Sequence, residues 1–189
     1  FVEHLFIAST HDYILFFSDQ GKLYWLKVYD IPQAGRQARG KTIVNLLELA
    51  PQEKISAFLA VKEFTEDRFV VMATKQGLIK KVDLAAFSNP RKGGIIACSL
   101  DKGDELIGAL LSDGKQEILL ATRLGKAIRF KESQVRSVGR QAKGVRGIRL
   151  AKEDEVIDME VASPEATLLT VTALGFGKRT SFKKYRLQS

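Results

Sequence analysis

Four apolar runs along the chain end in glycine: Tyr13-Ile-Leu-Phe-Phe-Ser-Asp-Gln-Gly21, Phe69-Val-Val-Met-Ala-Thr-Lys-Gln-Gly77, Ile118-Leu-Leu-Ala-Thr-Arg-Leu-Gly125 and Leu168-Leu-Thr-Val-Thr-Ala-Leu-Gly175. These glycines stand 56, 48 and 50 residues apart, a repeat length in the range of propeller blades. After each one a second strand begins: Lys22-Leu-Tyr-Trp-Leu-Lys-Val, Leu78-Ile-Lys-Lys-Val, Lys126-Ala-Ile-Arg-Phe-Lys and Phe176-Gly-Lys-Arg-Thr. Strand, glycine and strand predict four β-hairpins, with glycine supplying the positive φ of the turn. Side chains alternate along a strand, so Ile128 and Phe130 are expected on a core face and Arg129 and Lys131 on a charged one. The fourth residue after each glycine is Trp25, Lys81, Arg129 or Arg179, which reads as an outward row of cations in three of four units.

The repeat extends beyond the hairpins. Gly35-Arg-Gln-Ala-Arg-Gly40 and Gly139-Arg-Gln-Ala-Lys-Gly144 are two copies of one loop, with Asn89-Pro-Arg-Lys-Gly-Gly94 as a shortened third. A further strand, an acidic turn and another strand follow, most clearly at Gly103-Asp-Glu-Leu-Ile-Gly-Ala-Leu-Leu and Glu153-Asp-Glu-Val-Ile-Asp-Met-Glu-Val. Gln52-Glu-Lys-Ile-Ser-Ala-Phe-Leu-Ala is a weaker first copy. The fold expected is all-β, a propeller-like disc of four-stranded blades in one repeat domain over 1–189, with about three and a half repeats. Approximate blades are 1–56, 57–104, 105–154 and an incomplete 155–189.

Charge adds a partner to this outline. Lys and Arg number 30 against 22 Asp and Glu, a net charge of +8, and an anionic partner is expected. From Arg123 to Arg149 stand nine cations (Arg123, Lys126, Arg129, Lys131, Arg136, Arg140, Lys143, Arg146, Arg149) and a single acid, Glu132. Arg36, Arg39 and Lys41 crowd the first loop, Arg91 and Lys92 the second, and Lys178 and Arg179 the last hairpin. Together with Lys81 these residues form the expected DNA-binding set. Arginine offers a forked donor and glycine lets backbone N–H groups approach, which suits phosphate. Most phenylalanines lie in apolar strands, so base stacking is not expected and duplex backbone is the better target. If successive blades each offer a basic loop on one rim, the duplex must curve to touch them all.

Chemistry is sparse by comparison. Gly35 to Thr42 matches the G-x-x-x-x-G-K-T pattern of a nucleotide-binding P-loop. That loop must join a buried parallel strand to a helix, whereas the sequence before it alternates and its copy at Gly139 replaces Lys-Thr by Val-Arg. An NTPase at 35–42 is therefore an alternative set aside, and a propeller-like protein-interaction scaffold is the second alternative. Cys98 is the only cysteine and lies in an apolar run, while His4 and His11 are the only histidines. Neither a metal cluster nor a nucleophile–base pair is suggested, and no catalytic residue is assigned. No apolar run approaches a membrane span and no basic amphipathic helix is evident, so the expectation is a reducing cytoplasm without a membrane partner.

Thr10-His-Asp-Tyr-Ile-Leu, Gly40-Lys-Thr-Ile-Val-Asn-Leu-Leu, Val82-Asp-Leu-Ala-Ala-Phe, Gly103-Asp-Glu-Leu-Ile-Gly, Ile128-Arg-Phe-Lys-Glu-Ser, Gly144-Val-Arg-Gly-Ile-Arg-Leu and Gly175-Phe-Gly-Lys-Arg-Thr span nearly the whole chain. In this order they resemble the C-terminal domain family of the bacterial DNA gyrase A protein, with the topoisomerase IV domain a close variant. The resemblance implies a β-pinwheel, a propeller-like disc whose basic rim wraps duplex DNA without reading its sequence, in support of negative supercoiling by the holoenzyme. It implies as partners double-stranded DNA, the rest of the gyrase A protein and the gyrase B protein. No cofactor is expected in this chain, since ATP and Mg²⁺ serve other regions of the holoenzyme. The family's Q-x-R-G-G-x-G box is expected just upstream of Phe1, and Gly35 to Gly40 and Asn89 to Gly94 are degenerate copies of such a loop. The chain thus reads as a fragment that binds duplex but does not wrap it tightly.

Overall fold

The computed structural model describes residues 5–188, and among these it contains fourteen β-strands, several short 3-10 segments and no α-helix. In chain order the strands are β1 (Tyr13–Ser18), β2 (Lys22–Lys27), β3 (Ile55–Val61), β4 (Phe69–Thr74), β5 (Leu78–Asp83), β6 (Ile95–Ile96) and β7 (Leu106–Ser112). There follow β8 (Glu117–Thr122), β9 (Ala127–Lys131), β10 (Val145–Arg146), β11 (Val156–Val161), β12 (Thr167–Val171), β13 (Gly177–Ser181) and β14 (Leu187–Gln188). All four predicted hairpins form: β1–β2, β4–β5, β8–β9 and β12–β13 pair antiparallel in one common register. Gly21, Gly77, Gly125 and Gly175 take φ of +76°, +86°, +84° and +83°, the left-handed region that glycine enters at little cost. Three residues before each glycine stands a hydroxyl, in Ser18, Thr74, Thr122 and Thr172. It accepts from the backbone N–H just after the glycine at 3.1–3.2 Å. That bond ties the two strands at the turn.

The sheets are ordered β3-β1-β2-β6, β10-β5-β4-β7 and β11-β8-β9-β14, followed by the pair β12-β13. The outermost strand of each complete sheet therefore comes from the next repeat. In the third repeat, Ser137 first lies parallel to Lys81, the chain then reverses through the basic loop, and β10 returns antiparallel to β5. Leu187 lies parallel to Arg129 in the same way. The pairing departs from the expected blade boundaries. A division at 56 cuts through β3, and divisions at 104 and 154 separate β7 and β11 from the hairpins with which they pair. In each case the strand after the acidic turn folds back onto the hairpin before it.

Strands of the hairpins read as continuous apolar runs because both of their faces are covered. Leu15, Phe17 and Leu23 of the first sheet pack against Val70, Met72 and Val82 of the second. The alternate residues Val71, Ala73 and Ile79 face the other way, onto Ile118, Leu120 and Phe130 of the third sheet. Leu119 in turn faces Ala162 and, from the fourth repeat, Phe182. Cores thus lie between sheets, and backbone bonds cross the same gaps: the Leu106 N–H donates to the Asp19 carbonyl and the Val156 N–H to the Lys75 carbonyl, each at 2.9 Å. The strands β3, β7 and β11 neighbour one another on one side, leaving the exchanged strands and their loops on the opposite rim.

Candidate nucleic-acid interface

Two of the expected DNA contacts are not on the surface. Lys81 is 7% exposed and Arg129 9%. Each is paired across its hairpin with a residue of the core facing the next repeat, Lys81 with Val71 and Arg129 with Leu119. Lys81 Nζ donates to the Glu132 carbonyl at 3.3 Å and lies 3.7 Å from the Glu132 carboxylate. Arg129 pairs with Glu117 through Nε at 2.7 Å and donates from Nη1 to the Phe182 and Tyr185 carbonyls at 2.8 and 3.1 Å. The recurring cation is therefore a strut between successive sheets. The expectation of an outward row fails because a strand face that looks solvated in one repeat is roofed by the next. Arg179 holds the same position on β13 and is exposed.

The remaining expected cations are at the surface. Arg36, Arg39, Lys41, Arg91, Lys92, Lys126, Lys131, Arg136, Arg146, Arg149 and Lys178 are exposed, and Arg140 is half-buried. Arg123 and Lys143 are exposed but engaged: Arg123 with Glu155 and the Glu153 carbonyl, and Lys143 with Asp101. The Gly35 and Gly139 loops share one local turn, in which Ala38 and Ala142 donate to Gly35 and Gly139 at 3.0 Å. Around 35–42 no strand leads into the loop and a single 3-10 turn, Ile43–Asn45, follows it. The P-loop reading is thereby ruled out, since its phosphate cradle requires a strand before it and an α-helix after it.

Loops 89–94 and 139–144 are built onto the sheet edges beneath them. Gly94 lies so close to Tyr24 that a Cβ there would stand 2.7 Å from its ring, and a Cβ on Gly144 would stand 2.6 Å from the Ile79 carbonyl oxygen. Only glycine permits such an approach. Tyr24 is fixed in turn by donating to Glu53 at 3.0 Å, and burial together with that carboxylate pushes its hydroxyl far above the usual tyrosine range. One repeat later the equivalent residue is Lys80, 1% exposed, whose Nζ donates to the Ala97 carbonyl at 2.8 Å and also to the Arg140 carbonyl. Ser99 Oγ donates to the Gln141 carbonyl at 2.7 Å. Tyr24, Lys80 and Ser99 are not legible as loop supports in the sequence, because a Lys-Lys pair in a strand looks solvated. Their one signal is that Tyr24 and Lys80 both stand three residues after a hairpin glycine. Loop 35–41 shows no comparable approach among the described residues: a Cβ on Gly35 or Gly40 would meet nothing within 4 Å.

Strand-exchanged sheets stacked through shared cores, with basic loops on the rims of the first two, define a propeller-like repeat domain. The chain belongs to the DNA gyrase C-terminal domain family: the model of that β-propeller domain matches residues 12–62, 68–113, 116–163 and 166–189. Each of the first three segments holds one hairpin and the long strand that pairs back onto it, while β6, β10 and β14 lie in the segment after that of their sheet. The DNA gyrase A protein of Salmonella typhimurium is 50% identical over 189 residues and that of Escherichia coli 47% identical. In both, all of this chain is covered and 22% of the relative, so the chain spans about a fifth of their length. The solved C-terminal domain of DNA topoisomerase IV superposes with a TM-score of 0.87 at 25% identity, covering 95% of this chain and 56% of that one. The DNA gyrase A C-terminal domain gives 0.81 at 27% identity, covering 96% and 58%.

Proposed function

We propose that this chain holds double-stranded DNA by its phosphate backbone along the rim of exchanged strands, bends it from one basic loop to the next, and does so without reading sequence. In this reading it serves a cytoplasmic gyrase holoenzyme, beside the rest of the gyrase A protein and the gyrase B protein, in negative supercoiling. ATP and Mg²⁺ act elsewhere in that assembly and no reaction occurs on this chain. The observation that carries the reading is the division of the cations: Lys81 and Arg129 between sheets are paired with carboxylates and carbonyls, while those on the rim loops are mostly exposed and mostly without an acidic partner among the described residues. Uncompensated charge on loops anchored to rigid sheet edges is what a polyanion can use.

Engagement of roughly six to eight phosphates gives a log-affinity against log-salt slope of roughly −5 to −7. Duplex titration at several salt concentrations measures it, and a slope near zero would sink the proposal. Reversal of Arg136, Arg146 and Arg149 to Glu is expected to abolish duplex binding while leaving the fold intact, since all three are exposed. A protein-interaction scaffold would keep its partner after the same reversal.

A further inference from the structure

We propose that Arg91 and Arg140, from the rim loops of two consecutive repeats, form a single seat for one backbone phosphodiester of duplex DNA. This rests on the DNA-binding reading above and names a site within it. Both arginines line one open cleft, together with Asn89, Gly94 and Gln141. They come from segments about 50 residues apart that the strand exchange sets side by side on the rims of the first two sheets.

Three features make this cleft an anion site rather than a solvated patch. Arg140 is half-buried and oriented, with Nη1 donating to the Ile96 carbonyl at 3.3 Å, which leaves the rest of its guanidinium fork available. Its backbone carbonyl is held from below by the buried Lys80 ammonium, which has only carbonyl partners. Among the described residues no carboxylate lies within ion-pair distance of Arg91, Arg140 or Lys80. Burial lowers the Lys80 affinity for its proton, with the Cys98 thiol acting against this and the Arg140 charge adding to it. The two cations therefore feel each other across the base of the cleft. A phosphodiester offers two non-bridging oxygens and one negative charge, enough to take a donor pair from each arginine and to offset this excess. Gly93 adds open space beside Arg91, so a phosphate can approach the backbone there.

The test compares the full chain with Arg91→Gln, Arg140→Gln and the double variant in duplex titrations over a range of salt. One shared phosphate predicts that each single change weakens binding with little change of slope, since the other arginine still neutralises that phosphate, and that the double change reduces the slope by roughly 0.9. A slope reduced by roughly 0.9 in each single variant and by twice that in the double, or no reduction in the double, overturns the seat while the steep salt dependence of the unaltered chain keeps the wider reading. A second arm titrates inorganic phosphate and follows the side-chain Nε–H resonances of both arginines. They are expected to saturate together, and either variant is expected to abolish the shift of the other arginine. Joint saturation without duplex binding would leave a phosphate site and remove DNA as its ligand; unsaturating or independent shifts overturn the seat.

Discussion

Lys81 of the second hairpin reaches across to Glu132 of the third repeat, donating to its carbonyl at 3.3 Å and lying 3.7 Å from a carboxylate whose side chain is wholly buried. That carboxylate also accepts from Ser112 Oγ and, at 3.3 Å, from the Gln116 N–H. Arg129 makes the corresponding connection to Phe182 one repeat later. These side chains hold successive sheets at a set spacing, and the exposed loops inherit their positions from it.

Removing Lys81 leaves Glu132 buried without its counter-charge. Lys81→Ala is expected to destabilise the chain by about 3–5 kcal/mol, with part of that recovered when Glu132→Gln is added. Urea unfolding measures both. The Lys81 side chain is buried against Glu132 in this arrangement, so Lys81→Met should leave the salt slope of duplex binding unchanged. A slope reduced by a full phosphate would show that Lys81 faces the ligand after all.

The hairpin glycines separate two physical demands. Gly125 needs only its left-handed backbone, since a Cβ there would meet nothing within 4 Å, and Gly125→Ala is expected to cost about 1–2 kcal/mol. Gly21 has a similar φ, but its Cβ would stand 2.2 Å from the Cys98 carbonyl oxygen on the segment arriving from the next repeat. Gly21→Ala should therefore cost more than about 4 kcal/mol, because the exchanged strand must move. Equal losses in chemical denaturation would mean that the incoming segment yields freely.

Acid should loosen the support of loop 89–94. Burial is the largest single influence on Glu53 and acts upward. Hydrogen bonds from Ser18, the Ala50 N–H and Tyr24, with the charge of Lys22, together outweigh it and bring the carboxyl below its ordinary 4.5. A carboxyl depressed in the folded state contributes stability that is complete above its unfolded value and is lost as pH falls through the folded one. Unfolding measured from about pH 6 down to about pH 3 should show a steeper loss for the unaltered chain than for Glu53→Gln. Parallel curves would remove Glu53 from this role.

Much of the architecture is legible without coordinates, and for a definite reason. Hairpins are local: apolar alternation, a hydroxyl and a glycine lie within a few residues of one another at Ser18 to Gly21 and again at Thr122 to Gly125, so backbone geometry alone specifies the turn. The repeat length, the all-β class and the shared Gly-Arg-Gln-Ala loop follow from the same local rules.

What the chain does with its cations was decided only in three dimensions. Lys81 and Arg136 are both basic residues in a basic stretch of a strand-rich repeat, yet one is roofed by the following repeat and the other is exposed. The difference depends on Glu132, a residue 51 positions from Lys81. Nor could local pattern show that β6, β10 and β14 belong to the sheets before them, because two-residue strands carry no periodicity of their own. Pairing over such distances is settled by which sheet edge is free and which core needs covering. That choice, made by packing, separates the cations that hold the sheets together from those left on the rim.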